Sequence, residues 1–301
     1  MTIPTADIDF DFARYVATRR GHAEQRARDG AAYAYSGERK VARALGAARP
    51  VTLAIEATVR MWKSVARSDL LGSAVKVTDQ QFPRLYEVTA RCAKTLHIPA
   101  PQVYVAPAIG ELNAHTLGTQ EDAYVVVNAA LVDHLSDEEL AFVIGHECGH
   151  IHNNHVVLTT ALYYLTVAAA FYVRWIVQPA VLALRAWARR AEITCDRAGL
   201  LCVRDLDVAT AAVVKLGLGS QKLYKDFKLD EYLKQLDEGK KGLGRLGELF
   251  RSHPYMPKRI EALRLFASSS LYRAFSSGGA LSGGLAADEC DAKVAALLSV
   301  F

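Results

Sequence analysis

Apolar residues recur at helical spacing through much of the chain, and the clearest pattern lies between residues 136 and 151. Ser136 precedes this run and Glu139 follows three positions later, which is the sequence signature of a capping box. The apolar positions that share one face are Leu140, Val143, Ile144 and Ile151. The spacing predicts one helix that begins after Ser136 and continues through residue 150.

Weaker patterns predict the other elements and an α+β fold in which α-helices predominate. Further helices are expected at residues 51–71, 84–96, 186–203, 207–217, 220–237 and 256–267. Alternating or β-branched runs predict strands at residues 74–78, 103–105, 112–117 and 123–128. The strand at 112–117 would be either an edge strand that binds peptide by extending the sheet or half of an ordinary hairpin.

The stretch from residue 156 to residue 188 is unusually apolar. Residues 156–173 carry no charged side chain, and a helix of that length spans about 27 Å, just enough for one bilayer crossing. The second apolar run, 175–184, is shorter and contains Pro179, so we expect a helical hairpin at 156–188 rather than a spanning pair. This hairpin would be buried in the protein or would dip into one face of a membrane.

Composition narrows the class of protein. The chain has 301 residues, 51% of them hydrophobic, and a formal net charge of +4, which allows a large core and gives no support for nucleic-acid binding. Five cysteines without a C-x-x-C pair favour a reducing compartment. The N-terminus lacks the apolar run of a signal peptide. We therefore expect a cytoplasmic protein, or a membrane-associated one whose site faces the cytoplasm.

The chemistry is concentrated in His146-Glu147-Cys148-Gly149-His150. On a helix, His146 and His150 lie on one face, so both imidazoles can bind one metal ion. Glu147 would lie beside that ion and take a proton from its bound water. Glu192, on a later helix, would be the third ligand and leave the fourth position open, as in catalytic zinc sites. Asp196, one turn further, could accept the other ring N–H of a ligand histidine.

Other polar residues have candidate roles outside the set of metal ligands. His253 lies in a loop-like segment and could donate a hydrogen bond to the oxyanion of a tetrahedral intermediate, and Tyr255 is a rival for that role. The structural alternatives are a helix cap for His253 and a surface ion pair for Arg259. His152 and His155 lie at offsets from His150 that point them away on a continuous helix, so we expect them to be structural or solvent-facing.

Taken together, these motifs resemble the M48 family of zinc metallopeptidases, gluzincins that include HtpX-like and CAAX-processing enzymes. The resemblance is carried by His146-Glu147-x-x-His150, Glu192-x-x-x-Asp196, and Ser252-His253-Pro254 followed by Arg259-Ile260. It extends over the segment from Gln81-Phe82-Pro83 to Asn113-Ala114. The integral-membrane members have several clear spanning helices, whereas this chain has only the hairpin, which favours a compact, soluble or peripheral member.

The resemblance implies a gluzincin fold and a zinc endopeptidase that cleaves a peptide or protein substrate with one Zn²⁺ per chain. The ligands it implies are His146, His150 and Glu192, the catalytic residues are Glu147 and His253, and the residues behind them are Asp196 and Arg259. The residues expected to bind substrate along the edge strand are Leu112, Asn113, Ala114 and His115.

We divide the chain into an N-terminal helical segment (1–71), a zinc peptidase domain (72–267) and a C-terminal tail (268–301). Residues 14–49 are basic; we favour a solvated helical face packed on the main domain over an arm that binds an anionic surface. Two alternatives to an active enzyme remain. One is a non-catalytic, zinc-stabilised scaffold that binds a partner, and the other is a latent peptidase whose cleft is covered by residues 14–49.

Overall fold

A computed structural model describes residues 31–46, 68, 72–107, 113–118, 123–168, 174–239, 247–277 and 283–299. The helix predicted at 51–71 therefore lies outside the described residues except for position 68, and so does Leu112. The helices are α1 (Ser36–Gly46), α2 (Pro83–Thr95), α3 (Ala129–His134), α4 (Asp137–His152), α5 (Val156–Ala168), α6 (Arg174–Val203), α7 (Leu206–Leu218), α8 (Gln221–Tyr224), α9 (Leu229–Gly239), α10 (Met256–Ala267), α11 (Ser270–Ser276) and α12 (Ala287–Leu298). The strands are β1 (Val75–Lys76), β2 (Gln102–Ala106), β3 (Ala114–Gly118) and β4 (Ala123–Asn128). The prediction of a mainly helical α+β fold is confirmed.

The strands form one small mixed sheet in the order β1-β2-β4-β3. β2 and β4 are parallel, and β1 and β3 each pair antiparallel with an inner strand. β3 is therefore an edge strand of the described sheet. It also pairs antiparallel with β4, the next strand, so both alternatives that the sequence left open, a peptide-binding edge strand and an ordinary hairpin, fit this arrangement. Its residues Ala114 and Thr116 pair with Val127 and Val125 of β4, which leads through α3 to the start of α4.

Helix α4 begins at the capping box that the sequence predicts. The Ser136 side chain accepts a hydrogen bond from the Glu139 N–H at 3.3 Å, and the Glu139 carboxylate accepts one from the Ser136 N–H at 2.8 Å. From Glu139 to His150 every residue of α4 is buried. The helix thus runs through the centre of the main core, with α2, α7 and α10 packed around it and α6.

Helix α6 corrects one prediction, because it is continuous from Arg174 to Val203 and includes Pro179. We expected a separate helix from residue 186, after the short apolar run that contains Pro179. A proline inside a helix removes an intrahelical hydrogen bond at a cost of about 3 kcal/mol. Apolar packing after the proline offsets that cost, because Val181, Leu184 and Trp187 are buried against neighbouring helices. The helix predicted at 220–237 is instead the pair α8 and α9, because the chain turns where Phe227 stacks on Tyr224.

The described parts of the 156–188 hairpin, in α5 and α6, pack on α1 and form a second apolar cluster around Leu45, Leu162 and Trp187. Tyr163 of α5 remains about half exposed. Within the residues that the structure describes, no helix combines the length and the apolar character needed to cross a membrane.

Candidate metal centre

The two histidines of α4 lie on one face, as the helix repeat requires. Their ring centroids are 5.2 Å apart, and both residues are buried, with relative exposures of 7% for His146 and 5% for His150. Two imidazoles at this separation on a rigid buried helix can bind a common ion.

Three glycines bring α6 close enough to complete the site. A Cβ atom on Gly149 would lie 2.8 Å from the Ala198 Cβ, and one on Gly145 would lie 3.1 Å from the Gly199 Cα. Gly199 in turn lies against the backbone of Phe142, so any side chain at these positions would push the helices apart. This close approach places the polar face of α6 against the two histidines.

The Glu192 carboxylate of α6 faces both histidines. Its Oε2 atom lies 3.4 Å from the His146 Nε2, and its Oε1 lies 3.5 Å from the His150 Nε2. Glu192 is buried, and its Oε2 atom has no hydrogen-bond partner within the described structure. Burial alone would raise the pKa of Glu192, but His253 and His146 hold it well below its usual value. The chain therefore keeps an ionised carboxylate against both imidazole rings, and one of its oxygens makes no hydrogen bond within the described structure.

Asp196 holds the far side of His146. The His146 Nδ1 lies 2.9 Å from Oδ1 of Asp196, and Arg259 donates to both oxygens of this carboxylate at 2.8 and 2.6 Å. Burial alone would raise the pKa of Asp196, but Arg259 lowers it. Asp196 therefore stays ionised and turns the other ring nitrogen of His146, Nε2, toward Glu192.

Glu147, the residue between the two histidines in the motif, is fixed by the edge strand. The Thr116 hydroxyl donates a hydrogen bond of 2.6 Å to Oε2 of Glu147. Both side chains are buried, with exposures of 5% for Glu147 and 3% for Thr116. Sequence reasoning missed Thr116, which carries no motif of its own and meets Glu147 only because β3 crosses the end of α4.

His253 lies at the mouth of the site. Its Nε2 is 3.4 Å from Oε2 of Glu192, and 56% of its side chain is exposed. A cavity of about 50 Å³ opens here, which is room for a few water molecules. Its lining includes His146, Glu147, Glu192, His253, Arg259, Asn113 and Ala114. Tyr255, the rival of His253, is not among the lining residues, and its backbone N–H is bound to Glu248.

The residues predicted to bind substrate are only partly brought to this cavity. Asn113 is exposed and Ala114 half-buried, and both line it. His115 points elsewhere, stacked on Tyr163 with ring centroids 6.2 Å apart. His115 is thus a contact between β3 and α5.

Two further residues lie at the centre, Cys195 and His155, to which the sequence gave no part in the metal site. Cys195 of α6 is fully buried, and its Sγ lies with ring nitrogens of His146 and His150 in a group whose atoms are within 4.8 Å of one another. Burial and the surrounding carboxylates raise the pKa of this thiol well above its usual value in the metal-free centre.

The second is His155, for which the expectation was wrong. It does not point away from His150, because α4 ends at His152 and the chain turns back at Asn154, which has a left-handed backbone. The His155 Nδ1 lies 3.3 Å from the His150 Nδ1, and His155 is 2% exposed. His152 instead contacts the Tyr33 hydroxyl at 3.1 Å, a structural role that agrees with the expectation.

The charges around the two histidines fit a cation. Glu147, Glu192 and Asp196 are three carboxyl groups, and Arg259 is the one guanidinium that contacts them among the described residues. Burial alone would lower the pKa of His146, but Glu192 and Asp196 raise it to about 10. The centre thus attracts positive charge, and two imidazoles with a carboxylate are a donor set that zinc accepts.

Comparison with known proteins also indicates a metallopeptidase family. The model of "Peptidase family M48" matches residues 79–267. The "Plastoglobule-localized metallopeptidase 48, chloroplastic" of Arabidopsis thaliana is 31% identical over 179 residues, which cover 58% of this chain and 52% of that protein. A "Protease HtpX homolog" of Streptococcus pyogenes is 31% identical over 107 residues, covering 35% and 36%. Another, of Streptococcus gordonii, is 34% identical over 91 residues, or 30% of each chain.

The chain therefore spans about half of the Arabidopsis protein and about a third of these HtpX homologs. The match to the family model extends from residue 79 to residue 267, which is more than half of the 301 residues. It includes both α4 and α6, the helices that carry the centre. The chain belongs to peptidase family M48.

Proposed function

We propose that this chain is a zinc-dependent metalloendopeptidase in which His146, His150 and Glu192 hold one Zn²⁺. The observation that carries the proposal is the convergence of two histidine Nε2 atoms, at 3.4 and 3.5 Å, on a buried carboxylate whose Oε2 has no hydrogen-bond partner among the described residues. Three protein ligands leave a fourth position open, as in catalytic zinc sites.

When bound, zinc would supply Lewis acidity, which lowers the pKa of water and polarises a carbonyl group. Glu147 is the general base, because its carboxylate lines the same cavity as His146 and Glu192. The Thr116 hydroxyl occupies one lone pair of Glu147 Oε2, which fixes the carboxylate in one orientation. As the base, Glu147 takes a proton from the attacking water, and it then passes this proton to the leaving amine.

The substrate binds as an extended peptide along β3. This strand pairs with β4 on one side only within the described residues, so its other edge can hydrogen-bond to a peptide. Asn113 and Ala114 lie where this edge meets the cavity. At the far end the Gly118 N–H is already bound to Thr160, so the peptide would lie toward the Asn113 end of the strand.

His253 is suited to stabilise the oxyanion that develops on the scissile carbonyl. It lies at the mouth of the cavity with a half-exposed ring, so that it can reach a peptide in the cleft. Arg259 supports the centre from behind through its two hydrogen bonds to Asp196.

The test is the substitution Glu147→Gln in the full chain. We expect zinc to remain at one per chain, because the ligands are untouched, while kcat for a quenched-fluorescent peptide falls by at least about a hundredfold, as is usual for loss of a general base. Metal content and cleavage are measured in parallel on each protein. Glu138→Gln is the matched control, since Glu138 is an exposed glutamate of the same helix.

Chelator-sensitive cleavage by the wild type and by Glu138→Gln, and none by Glu147→Gln, would support the proposal. Undiminished cleavage by Glu147→Gln would remove Glu147 as the base. A zinc-loaded wild type that cleaves no peptide would favour the non-catalytic or latent alternatives.

One observation favours the alternative of a zinc-stabilised scaffold. The buried Cys195 thiol lies near both histidines, and a cysteine ligand beside Glu192 would close the coordination sphere, as structural zinc sites do.

Three further expectations from the sequence, on the domain division, on membrane contact and on latency, remain proposals. The peptidase domain is 72–267, between an N-terminal segment (1–71) and a C-terminal segment (268–301). Residues 31–46 of the N-terminal segment and α12 of the C-terminal segment pack on this domain. The hairpin at 156–188 touches a membrane surface from the cytoplasmic side, for which the exposed Tyr163 offers a contact. Of the basic segment 14–49, latency would fall to residues 14–30 and 47–49, because the described residues 31–46 do not line the cavity.

A further inference from the structure

His155 joins the centre to a helix that lies far away in the sequence. Its Nδ1 atom faces the His150 Nδ1 at 3.3 Å, and its Nε2 faces the Glu38 Oε1 at 3.5 Å. Glu38, on α1, is 4% exposed, and its Oε1 accepts a hydrogen bond from the Trp187 indole N–H at 3.0 Å. A buried glutamate and a buried histidine are costly to place in a core. Their position therefore calls for an explanation, because His155 contacts His150 and Glu38 contacts His155.

The end of α4 fixes His155 against His150. The His155 N–H donates to the His150 carbonyl at 2.8 Å, and the Asn154 N–H donates to the Ile151 carbonyl at 3.2 Å. These two bonds, with Asn154 at a φ of 57°, form a Schellman motif. That motif folds the residue after the turn back onto the last turn of the helix, and here the two residues are histidines. Backbone hydrogen bonds, as well as side-chain packing, therefore set the contact.

The ring of His155 is also fixed from the side. The Trp187 ring packs edge-on to it, with centroids 5.3 Å apart, and the Cys195 Sγ lies 3.6 Å from its Nδ1. Within the described structure the His155 Nε2 makes no hydrogen bond, and the Glu38 Oε1 faces it at 3.5 Å. A small adjustment of either side chain would turn the 3.5 Å contact into a hydrogen bond.

One arrangement of protons satisfies every nitrogen in this row. If His150 binds a metal through Nε2, which faces Glu192, then its Nδ1 carries the proton and donates. The His155 Nδ1 then accepts, so the proton of His155 is on Nε2, where the Glu38 carboxylate accepts it. His146 has the same kind of support on its own Nδ1 from Asp196.

We propose that His155 and Glu38 are positioning residues that fix the ring of His150 for zinc. Glu38 orients His155, and His155 accepts from the His150 Nδ1–H, so that the His150 Nε2 lone pair points toward Glu192. The proposal rests on the proposed function, in which His150 is a zinc ligand. Helix α1 becomes part of the metal centre, although Glu38 lies more than a hundred residues before His150 in the sequence.

The experiment measures the zinc dissociation constant by competition with a chromophoric chelator, with Zn²⁺ alone as the probe. The proteins are full-length wild type, His155→Phe, Glu38→Gln, the double variant and His150→Ala. We expect His155→Phe to weaken zinc binding about 10- to 100-fold, as is usual for loss of a partner behind a ligand. The expected loss for Glu38→Gln is smaller, about 3- to 10-fold, because the amide oxygen still accepts a hydrogen bond.

His152→Phe is the matched control. His152 is a histidine at the same helix end, with a ring packed on Tyr33 rather than on His150, so its zinc affinity should stay within about twofold of the wild type. The double variant should bind zinc no more weakly than His155→Phe, because Glu38 acts through His155. A purely structural role would instead give additive losses of folding stability and no change in zinc affinity.

Equal zinc affinity of His155→Phe and His152→Phe would overturn the proposal. A second measurement needs no variant. In long-range ¹H–¹⁵N spectra of the zinc-loaded wild type, His150 should be the Nδ1–H tautomer and His155 the Nε2–H tautomer, and His155 protonated on Nδ1 would overturn the proposal even if the variants fail to fold. A wild type that binds no zinc, or His150→Ala that binds it normally, would instead remove the proposed function and this inference with it.

Discussion

At the scale of single residues, each side chain at the centre presents one polar atom to the site, and its orientation is set by a contact of that side chain with a neighbouring polar group. His146 and His150 both present Nε2 to Glu192 because their Nδ1 atoms are engaged, by Asp196 in one case and by His155 in the other. Glu147 is held in the same way by Thr116. The groups proposed to react are thus fixed before any substrate arrives, which avoids the cost of ordering them during the reaction.

Thr116 gives the sharpest prediction at this scale. Thr116→Val keeps the shape of the side chain but removes the hydrogen bond to the Glu147 carboxylate. Hydrogen bonds to charged groups contribute about 1.5–3 kcal/mol, so we expect kcat to fall roughly 10- to 100-fold with zinc affinity unchanged. Thr116→Ser keeps the hydroxyl and should retain most of the activity. Steady-state peptide cleavage checks both variants, and equal kcat values for the two would show that the hydrogen bond does not matter.

The sequence predicts residues whose positions follow from one helix, and misses those that meet across the fold. His146 and His150 follow from a spacing of four, and Asp196 follows Glu192 by the same rule. His155 was misplaced because the offset argument assumed a continuing helix, whereas Asn154 turns the chain back. Glu38 and Thr116 carry no local signal, since their importance arises from contacts that span 149 residues to Trp187 and 31 to Glu147.

At the scale of elements, the centre depends on how closely α4 and α6 approach. Gly145, Gly149 and Gly199 remove the side chains that would separate the two helices. The sequence predicted α4 well, because a capping box and an apolar face are local features. It did not predict the glycine contact, since a glycine within a helix gives no sign of its partner. It also began a separate helix at residue 186, whereas α6 is continuous from Arg174 and includes Pro179, because tertiary packing overrides the local preference.

Gly149→Ala tests the helix approach. Alanine favours an isolated helix by about 1 kcal/mol over glycine, but here its Cβ would lie 3.1 Å from the Cys195 Cα, which is backbone and cannot easily move. We expect a net loss of about 1–3 kcal/mol in unfolding free energy. Gly46→Ala is the control, because a Cβ there meets nothing within 4 Å. Denaturant unfolding of both proteins decides, and a Gly149→Ala protein as stable as Gly46→Ala would contradict the close approach.

At the scale of the whole molecule, the described N-terminal and C-terminal segments close on each other beside the centre. Arg197, the residue after Asp196, donates to the Asp291 carboxylate of α12 at 2.7 Å and to the Tyr33 carbonyl at 3.1 Å. The other oxygen of Asp291 accepts from the Ser36 N–H at 2.9 Å, at the start of α1. One buried arginine thus connects α6, α12 and the segment that carries Glu38.

Removal of the Asp291 charge should loosen this connection. Asp291→Asn leaves the Arg197 guanidinium, which is 4% exposed, without its carboxylate. Breaking a buried ion pair on one side costs about 3 kcal/mol or more, so we expect a loss of that size in unfolding free energy of the zinc-free protein. Asp288→Asn, an exposed aspartate on the same helix, should change it by less than about 0.5 kcal/mol. Similar stability of the two variants would mean that Asp291 does not join the segments.

The measurement that tests the central claim most directly is zinc K-edge X-ray absorption of the zinc-loaded wild-type protein. The account predicts only nitrogen and oxygen neighbours, at about 2.0–2.2 Å, from two imidazoles, the Glu192 carboxylate and solvent. A sulfur neighbour at about 2.3 Å would contradict it, because Cys195 would then be a ligand and the position proposed for catalysis would be closed.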